Sequence, residues 1–287
     1  MLAAYQYKIK HAFHTLITLL CLMMPSYTYA ADILVTLPPL AGLVQWIDPE
    51  ADVQCLLPAH ADPHHFQLSP RQVEALQHAK LLLRSSQDDA FWSGLSSHIN
   101  TIDIWPLQKH LHPSHNHAWL NPKEVELVLP NIAKALIQIY PQHKKNIQLH
   151  LQQDQDEIHP IWSAWQQVTQ HIKKHGVILQ HPSWRNLFQA LNIPIVDVLE
   201  SEQHGHEYGP HKLEHALGQL NHQPNVMMIA DKNHSNRALQ WLKQHHPKSQ
   251  IIQLDALGTC QQTWIELMHH NIKLLRTASE NISSHHE

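Results

Sequence analysis

Residues 142–174 read QHKKNIQLHLQQDQDEIHPIWSAWQQVTQHIKK, an almost continuous run of polar and apolar helix formers without a glycine. A run of this composition predicts one long helix. Pro160 is its only interruption, and a proline inside a helical pattern should kink the helix here rather than end it. Just upstream, Asn121-Pro122-Lys123-Glu124 offers an N-cap, a proline at the first helical position and an acid at the third. A helix should therefore begin there and run to about Tyr140, after which Pro141 restarts the chain.

On both sides of this segment, short apolar and β-branched runs alternate with helix-length patterns. Before it stand Ile33 to Leu37, Val53 to Leu57, Leu81 to Leu83 and Ile102 to Ile104; after it come Val177 to Leu179, Ile195 to Val198, Val226 to Ile229 and Ile251 to Leu254. Strands alternating with helices predict βα units and a parallel sheet. With 287 residues, the chain exceeds the usual size of one domain. The expected class is α/β: two lobes, each a mostly parallel sheet flanked by helices, joined by a long connecting helix. The expected boundaries are 31–140 for the N-terminal lobe, 141–175 for the connecting helix and 176–287 for the C-terminal lobe. Ser69-Pro70 and Gly209-Pro210 mark two further helix starts.

Residues 1–30 read as an export signal, with Lys8 and Lys10 ahead of an apolar run from Leu16 to Met24, then Pro25 and the end Thr28-Tyr29-Ala30. That run is well short of the roughly 20 residues a spanning helix needs. Cleavage after Ala30 and a periplasmic location are expected. Cys21 follows Leu19-Leu20 rather than the small residues that precede a lipid-anchored cysteine. Cys55 and Cys260 then remain in a compartment that permits pairing. Lying in different lobes, across a cleft that should stay mobile, they are expected to be two separate buried thiols.

A formal net charge of -4 without any basic stripe excludes a nucleic-acid footprint. The seven glycines form neither Gly-x-Gly-x-x-Gly nor Gly-x-x-x-x-Gly-Lys-Ser/Thr, so the loops that cradle nucleotide phosphates are missing. No His-Glu-x-x-His occurs, and His206-Glu207-Tyr208-Gly209-Pro210-His211 has the wrong spacing and two helix breakers. There is no Gly-x-Ser-x-Gly elbow either, and no enzymatic activity is expected. Histidine is the outlier of the composition at 29 residues, which tilts the reading toward metal or pH chemistry.

Ligands of open parallel sheets bind beyond the carboxyl ends of the strands. His64 lies in the loop after Val53 to Leu57, His117 after Ile102 to Ile104, His181 two residues after Leu179, and Asp255 directly after Leu254. Two come from each expected lobe. Three imidazoles and one carboxylate suit a small divalent cation, and imidazole-rich sites favour zinc or copper over manganese and magnesium. Any one histidine among so many is by itself more often a surface side chain than a ligand.

The stretch ILVTLPPLAGLV, followed by LLPAHADPHHFQLSPRQVEAL, resembles the start of the metal-binding proteins of ABC importers for zinc and manganese, the cluster A-I family. HAWLNP, LQHPSWRNLFQALNI, HEYGPHKL and LDALG continue the resemblance in order across the mature chain. It implies His64, His117 and His181 as the first three ligands and Asp255 as the last carboxylate. It also implies Zn2+ as transported ligand rather than manganese, because zinc-type members carry a histidine at the place of His181. Further implications are a monomer that delivers its ion to the permease of an ABC importer, with its ATPase. Asn186 and Leu187 stand where the family commonly has a glycine and an aromatic, and Ala256 replaces a usual proline. The cluster His110, His112 and His115 sits where zinc-type relatives carry a longer His-rich loop. It reads as solvated loop or as a weak accessory site. His204, His206 and the pairs His171/His175 and His211/His215 read mainly as solvent-facing. The competing readings are a manganese or iron carrier and a His-rich periplasmic zinc store.

Overall fold

The structure, a computed structural model, describes residues 31–59, 61–63, 66–86, 99–105, 117–200 and 209–284, with side chains described to residue 280. The expected export signal, His64, the His110/His112/His115 cluster, His204 and His206 lie outside the described residues. Among the described residues, no helix is long and apolar enough to cross a membrane.

The apolar runs form strands β1 (Ile33–Val35), β2 (Val53–Cys55), β3 (Leu81–Arg84), β4 (Thr101–Asp103), β5 (Val177–Leu179), β6 (Ile195–Val198), β7 (Met227–Asp231) and β8 (Ile251–Leu254). They make two four-stranded sheets in the orders β2-β1-β3-β4 and β6-β5-β7-β8. Every pairing is parallel. In each sheet the strand order reverses at one point, between β1 and β3 or between β5 and β7, and the crevice beyond the carboxyl ends at that point is where such sheets receive a ligand.

The helices are α1 (Pro38–Ile47), α2 (Pro70–His78), α3 (Pro122–Ile139), α4 (Lys144–Val168), α5 (Gln170–His175), α6 (Arg185–Ala190), α7 (Pro210–His222), α8 (Arg237–His245) and α9 (Trp264–Ser284). Several start where capping chemistry predicts. Ser69 and Gln72 form a reciprocal capping box before α2. The Asn121 side chain accepts from the Lys123 amide at 3.1 Å before α3. The long connecting helix is interrupted once, at Thr169 rather than at Pro160, which lies inside α4. Thr169 Oγ1 donates to the Trp165 carbonyl at 2.6 Å, a side-chain bond that competes with the helical ladder.

Strand alternation sorts the apolar side chains into three groups. Ile33, Val35, Leu81 and Leu83 of the first sheet share one continuous core with Val177, Leu179, Met227 and Ile229 of the second. The intervening positions turn outward: Leu34 and Leu82 meet Leu76 of α2, whereas Ile178 and Met228 meet residues of α7 and α8. The shared core also takes in α1, α3, α4 and α9, so the two sheets are not two separately cored bodies. The Trp46 and Trp264 rings stack with centroids 5.1 Å apart, and Trp165 meets Trp184 at 5.7 Å.

The loop between β8 and α9 reaches across to the N-terminal half. A Cβ placed on Gly42 of α1 would lie 2.7 Å from the Gln262 carbonyl and 2.8 Å from the Trp264 amide, so the two backbones touch where only glycine fits. Gln45 Nε2 donates to the Cys260 carbonyl at 3.2 Å. This crossing overturns the expectation of two separate thiols: Cys55 at the end of β2 is disulfide-bonded to Cys260, with Cα atoms 5.9 Å apart. Assigning Cys260 to a lobe by its order in sequence hid the fact that its loop packs on α1.

A bridge closing 205 residues of sequence restricts the unfolded chain strongly. The variant Cys55→Ser/Cys260→Ser should lose roughly 2–5 kcal/mol in urea unfolding under non-reducing conditions. Equal stability of wild type and variant would argue against the bridge.

Candidate metal centre

The loops at the carboxyl ends of β5, β6 and β7 converge on one buried carboxylate. Glu200 lies two residues beyond Val198, the last of β6, and is 3% exposed. Its Oε2 is 3.2 Å from His181 Nδ1 and 3.2 Å from His234 Nδ1. Its Oε1 accepts from Gln180 Nε2 at 3.2 Å. Gln180 ties the arrangement together: Nε2 also reaches the Ser235 carbonyl, and Oε1 accepts the Asp231 amide at 3.2 Å. A single side chain thus joins the ends of three parallel strands.

His181 is buried directly after β5, where Pro182 starts a short 3-10 turn leading into α6. His234 follows β7, and its ring stacks on that of His181 with centroids 4.0 Å apart and planes 19° apart. Among the described residues, His181, Glu200 and His234 form the group whose donor atoms lie close enough together, within 4.8 Å, to hold one metal ion. Ser183 Oγ donates to the neighbouring Asp231 carboxylate.

His117 comes to this group from the other half of the chain. It adopts a left-handed backbone, φ 64° and ψ 28°, immediately before the turn Ala118–Leu120. For a residue with a Cβ that conformation costs about 1–3 kcal/mol and persists only where its surroundings impose it. Here the next residues are pinned to the second half. Trp119 Nε1 donates to the Ala256 carbonyl at 2.8 Å, Trp264 Nε1 to the Trp119 carbonyl at 2.7 Å, and Asn121 Nδ2 to Asn186 Oδ1 at 2.7 Å. Two of the three departures noted from the sequence, Asn186 and Ala256, therefore receive a strut from the N-terminal half. The outcome is that the His117 ring stands edge-on to His181 with centroids 5.2 Å apart.

Asp255 is placed differently. Its Oδ1 accepts the backbone amides of Leu257 at 3.1 Å and Gly258 at 2.8 Å, closing a turn in which Gly258 takes φ +63°. Its Oδ2 is 2.8 Å from Lys232 Nζ. Burial alone would raise its pKa, but the Lys232 ammonium and the two amides bring it below the usual carboxylate value. Of the four residues singled out from sequence, the structure brings His117 and His181 together, ties Asp255 to Lys232, and leaves His64 outside the described residues. The negative charge of Asp62 acts on His234.

Sequence reading passed over Glu200, His234 and Gln180. The rule that picked out His181 and Asp255 would have found the first two: Glu200 and His234 also lie just beyond strand ends, His234 three residues past Asp231.

The electrostatics follow from burial and pairing. Desolvation works to raise the Glu200 pKa, yet hydrogen bonds from His181, His234 and Gln180 bring it down to about 2, so Glu200 is an anion. Burial pushes Asp231 up. For His234, burial lowers the pKa, but the Glu200 contact and the charges of Asp231, Glu200 and Asp62 outweigh it and the net shift is upward. Replacing Glu200 with Gln removes the main anionic partner of that imidazolium. In the metal-free protein, the NMR titration of His234 should move to lower pH in Glu200→Gln, and an unchanged curve would contradict this account.

A family model described as ZnuA, zinc-uptake complex component A, periplasmic, matches residues 33–278. A Thermotoga maritima protein described as metal-binding is 20% identical over 279 residues, covering 92% of this chain and 98% of its own. One from Chlamydia muridarum, described in the same words, is 23% identical over 160 residues, or 52% of this chain and only 58% of its own. Among solved structures, that of ZnuA superposes with a TM-score of 0.72 at 22% identity over 86% of this chain and 98% of the other. A Mn-bound periplasmic metal-binding protein from Candidatus Liberibacter asiaticus gives 0.71 at 15% identity, with the same coverage of 86% and 98%. The binding protein FpvC from P. aeruginosa, in complex with Ni2+, gives 0.71 at 17% identity over 88% and 96%. At such identities these structures share the fold; the family model, spanning most of the sequence, goes further, and this chain belongs to the ZnuA family.

Proposed function

We propose that this protein is a periplasmic solute-binding protein that captures Zn2+ in the crevice between its two sheets, with His64, His117 and His181 as ligands, and delivers it to the permease of an ABC importer. The observation that carries this reading is the meeting of His117 and His181, brought from opposite halves of the chain to 5.2 Å between ring centroids. The match to the ZnuA family over residues 33–278 supports cargo capture as its role.

The fold's neighbours include Mn-bound and Ni2+-bound proteins, while the family description names zinc uptake, so the fold leaves the ion open and the donors must decide it. Neutral imidazoles suit zinc, whereas manganese prefers more oxygen. An ion held by both halves would draw them together, and the movement is small. Opening the shared core by even 200 Å2 would cost about 5 kcal/mol, and the Cys55–Cys260 bridge restrains the same direction. The importer would then recognise the metal-bound form through a slight tilt.

Native mass spectrometry with metal analysis should find one ion per chain, predominantly zinc. In chelator competition, His64→Ala, His117→Ala and His181→Ala should each weaken Zn2+ binding by at least roughly 100-fold. Several weakly held ions indifferent to these changes would instead indicate a store, and preference for manganese would sink the zinc assignment.

Protons compete with the ion. Imidazoles bind metal only when neutral, so affinity must fall as pH drops through about 6.5. Because the His234 pKa is raised, its positive charge builds against the stacked His181 ring already above that value. Zn2+ affinity should therefore begin to decline above pH 6.5 and continue downward; a constant value between pH 7.5 and 5.5 would contradict the imidazole site.

A further inference from the structure

We propose that His234 is a fourth ligand of the captured ion, held in place by Glu200, and that Asp255 is a structural residue of the neighbouring turn. This deepens the metal-capture reading and rests on it.

The assignment comes from how the two carboxylates are used. Asp255 spends one oxygen on the Leu257 and Gly258 amides and the other on Lys232 at 2.8 Å. To ligate a dication it would have to release that turn or hold the ion against a lysine ammonium, and the like charges would repel. Its main chain is fixed as well: its amide donates to Asn271 Oδ1 and its carbonyl accepts from Asn271 Nδ2, both at 2.8 Å, which moors the turn to α9.

Glu200 stands in the opposite situation. It is buried and shared between the Nδ1 atoms of His181 and His234, each 3.2 Å away. A carboxylate that accepts from Nδ1–H selects the tautomer whose Nε2 carries the lone pair and orients that nitrogen toward a metal. Here one carboxylate does so for two rings, which stack at 4.0 Å and, with it, have donor atoms within 4.8 Å of one another. Gln180, hydrogen-bonded to the other oxygen of Glu200 and to the backbone at the end of β7, keeps the carboxylate from turning away. His234 also lies where the fold concentrates ligands, beyond β7 and across the switch point from His181.

The consequence is a set of donors with four imidazoles and no carboxylate in contact with the ion. Such a set widens the preference for zinc over manganese, since the hard ion loses its oxygen donor. His234 is thereby a residue that determines specificity, and Glu200 a positioning residue.

The test is chelator competition on the purified full-length protein with Zn2+ and, separately, Mn2+, together with Co2+ absorption spectra as a readout of donor number. His234→Ala should weaken Zn2+ binding by roughly 10- to 100-fold and alter the Co2+ spectrum. Asp255→Asn should leave both within about threefold, allowing for indirect effects of its turn. His234→Gln, whose amide can still donate to Glu200, guards against a folding defect and should lose Zn2+ affinity to a similar extent. His234→Asp should lower the ratio of zinc to manganese affinity by at least roughly 10-fold, since it restores the oxygen that manganese prefers. If the wild type binds Zn2+ tightly and His181→Ala abolishes this, but His234→Ala and His234→Gln bind as the wild type does, the His234 assignment falls and metal capture stands. Loss of Zn2+ affinity and a changed Co2+ spectrum in Asp255→Asn, with His234→Ala unaffected, would return the fourth position to Asp255. If the wild type holds no ion tightly, the capture reading itself fails.

Discussion

One apolar core holds the inner faces of both parallel sheets, and the geometry of the centre depends on it. Alternate residues of β1 and β3 meet alternate residues of β5 and β7 in the same cluster, with α1, α3, α4 and α9 filling the space. Two sheets with separate cores would be free to swing about their connecting helix. Sheets that share a core can tilt only as far as side chains can repack. The strand ends therefore stand at nearly fixed separations, and so do the histidines that follow them. The Cys55–Cys260 bridge and the Gly42 contact reinforce the arrangement on the side where the last loop crosses over.

Within that frame, the centre is organised around buried charge. A buried carboxylate is unfavourable unless it is paired, and Glu200 is paired three times, with His181, His234 and Gln180. The same contacts that keep Glu200 ionised orient two imidazoles. Asp255 is equally well satisfied, but by Lys232 and a turn. Two carboxylates at the ends of neighbouring strands thus do different work because their partners differ.

The left-handed backbone of His117 shows how the halves cooperate. The residues that follow it, Trp119 and Asn121, are held by hydrogen bonds that cross to the other half, with Trp264 donating back to Trp119. Its ring is thereby held edge-on to His181. The strain is small beside the burial that imposes it.

Much of this was legible in the sequence alone. The eight strands, their parallel pairing and the capped starts of α2 and α3 follow from hydrophobic runs, alternation with helices and local caps, all short-range patterns. The placement of His117 and His181 beyond strand ends was legible as well, since the strands that precede them were. The rest required long-range contacts. Order in sequence placed Cys55 and Cys260 apart, yet the loop before α9 folds back onto α1 and joins them. Among the several acids and histidines that follow strand ends, composition does not tell how each will be paired. That choice lies in the partners each side chain finds: an ammonium beside Asp255, a shared carboxylate behind His181 and His234. The sequence determined which strands form and which loops are eligible to bind. The tertiary structure decided which eligible side chains face one another, because only packing sets the distances over which charges and lone pairs act.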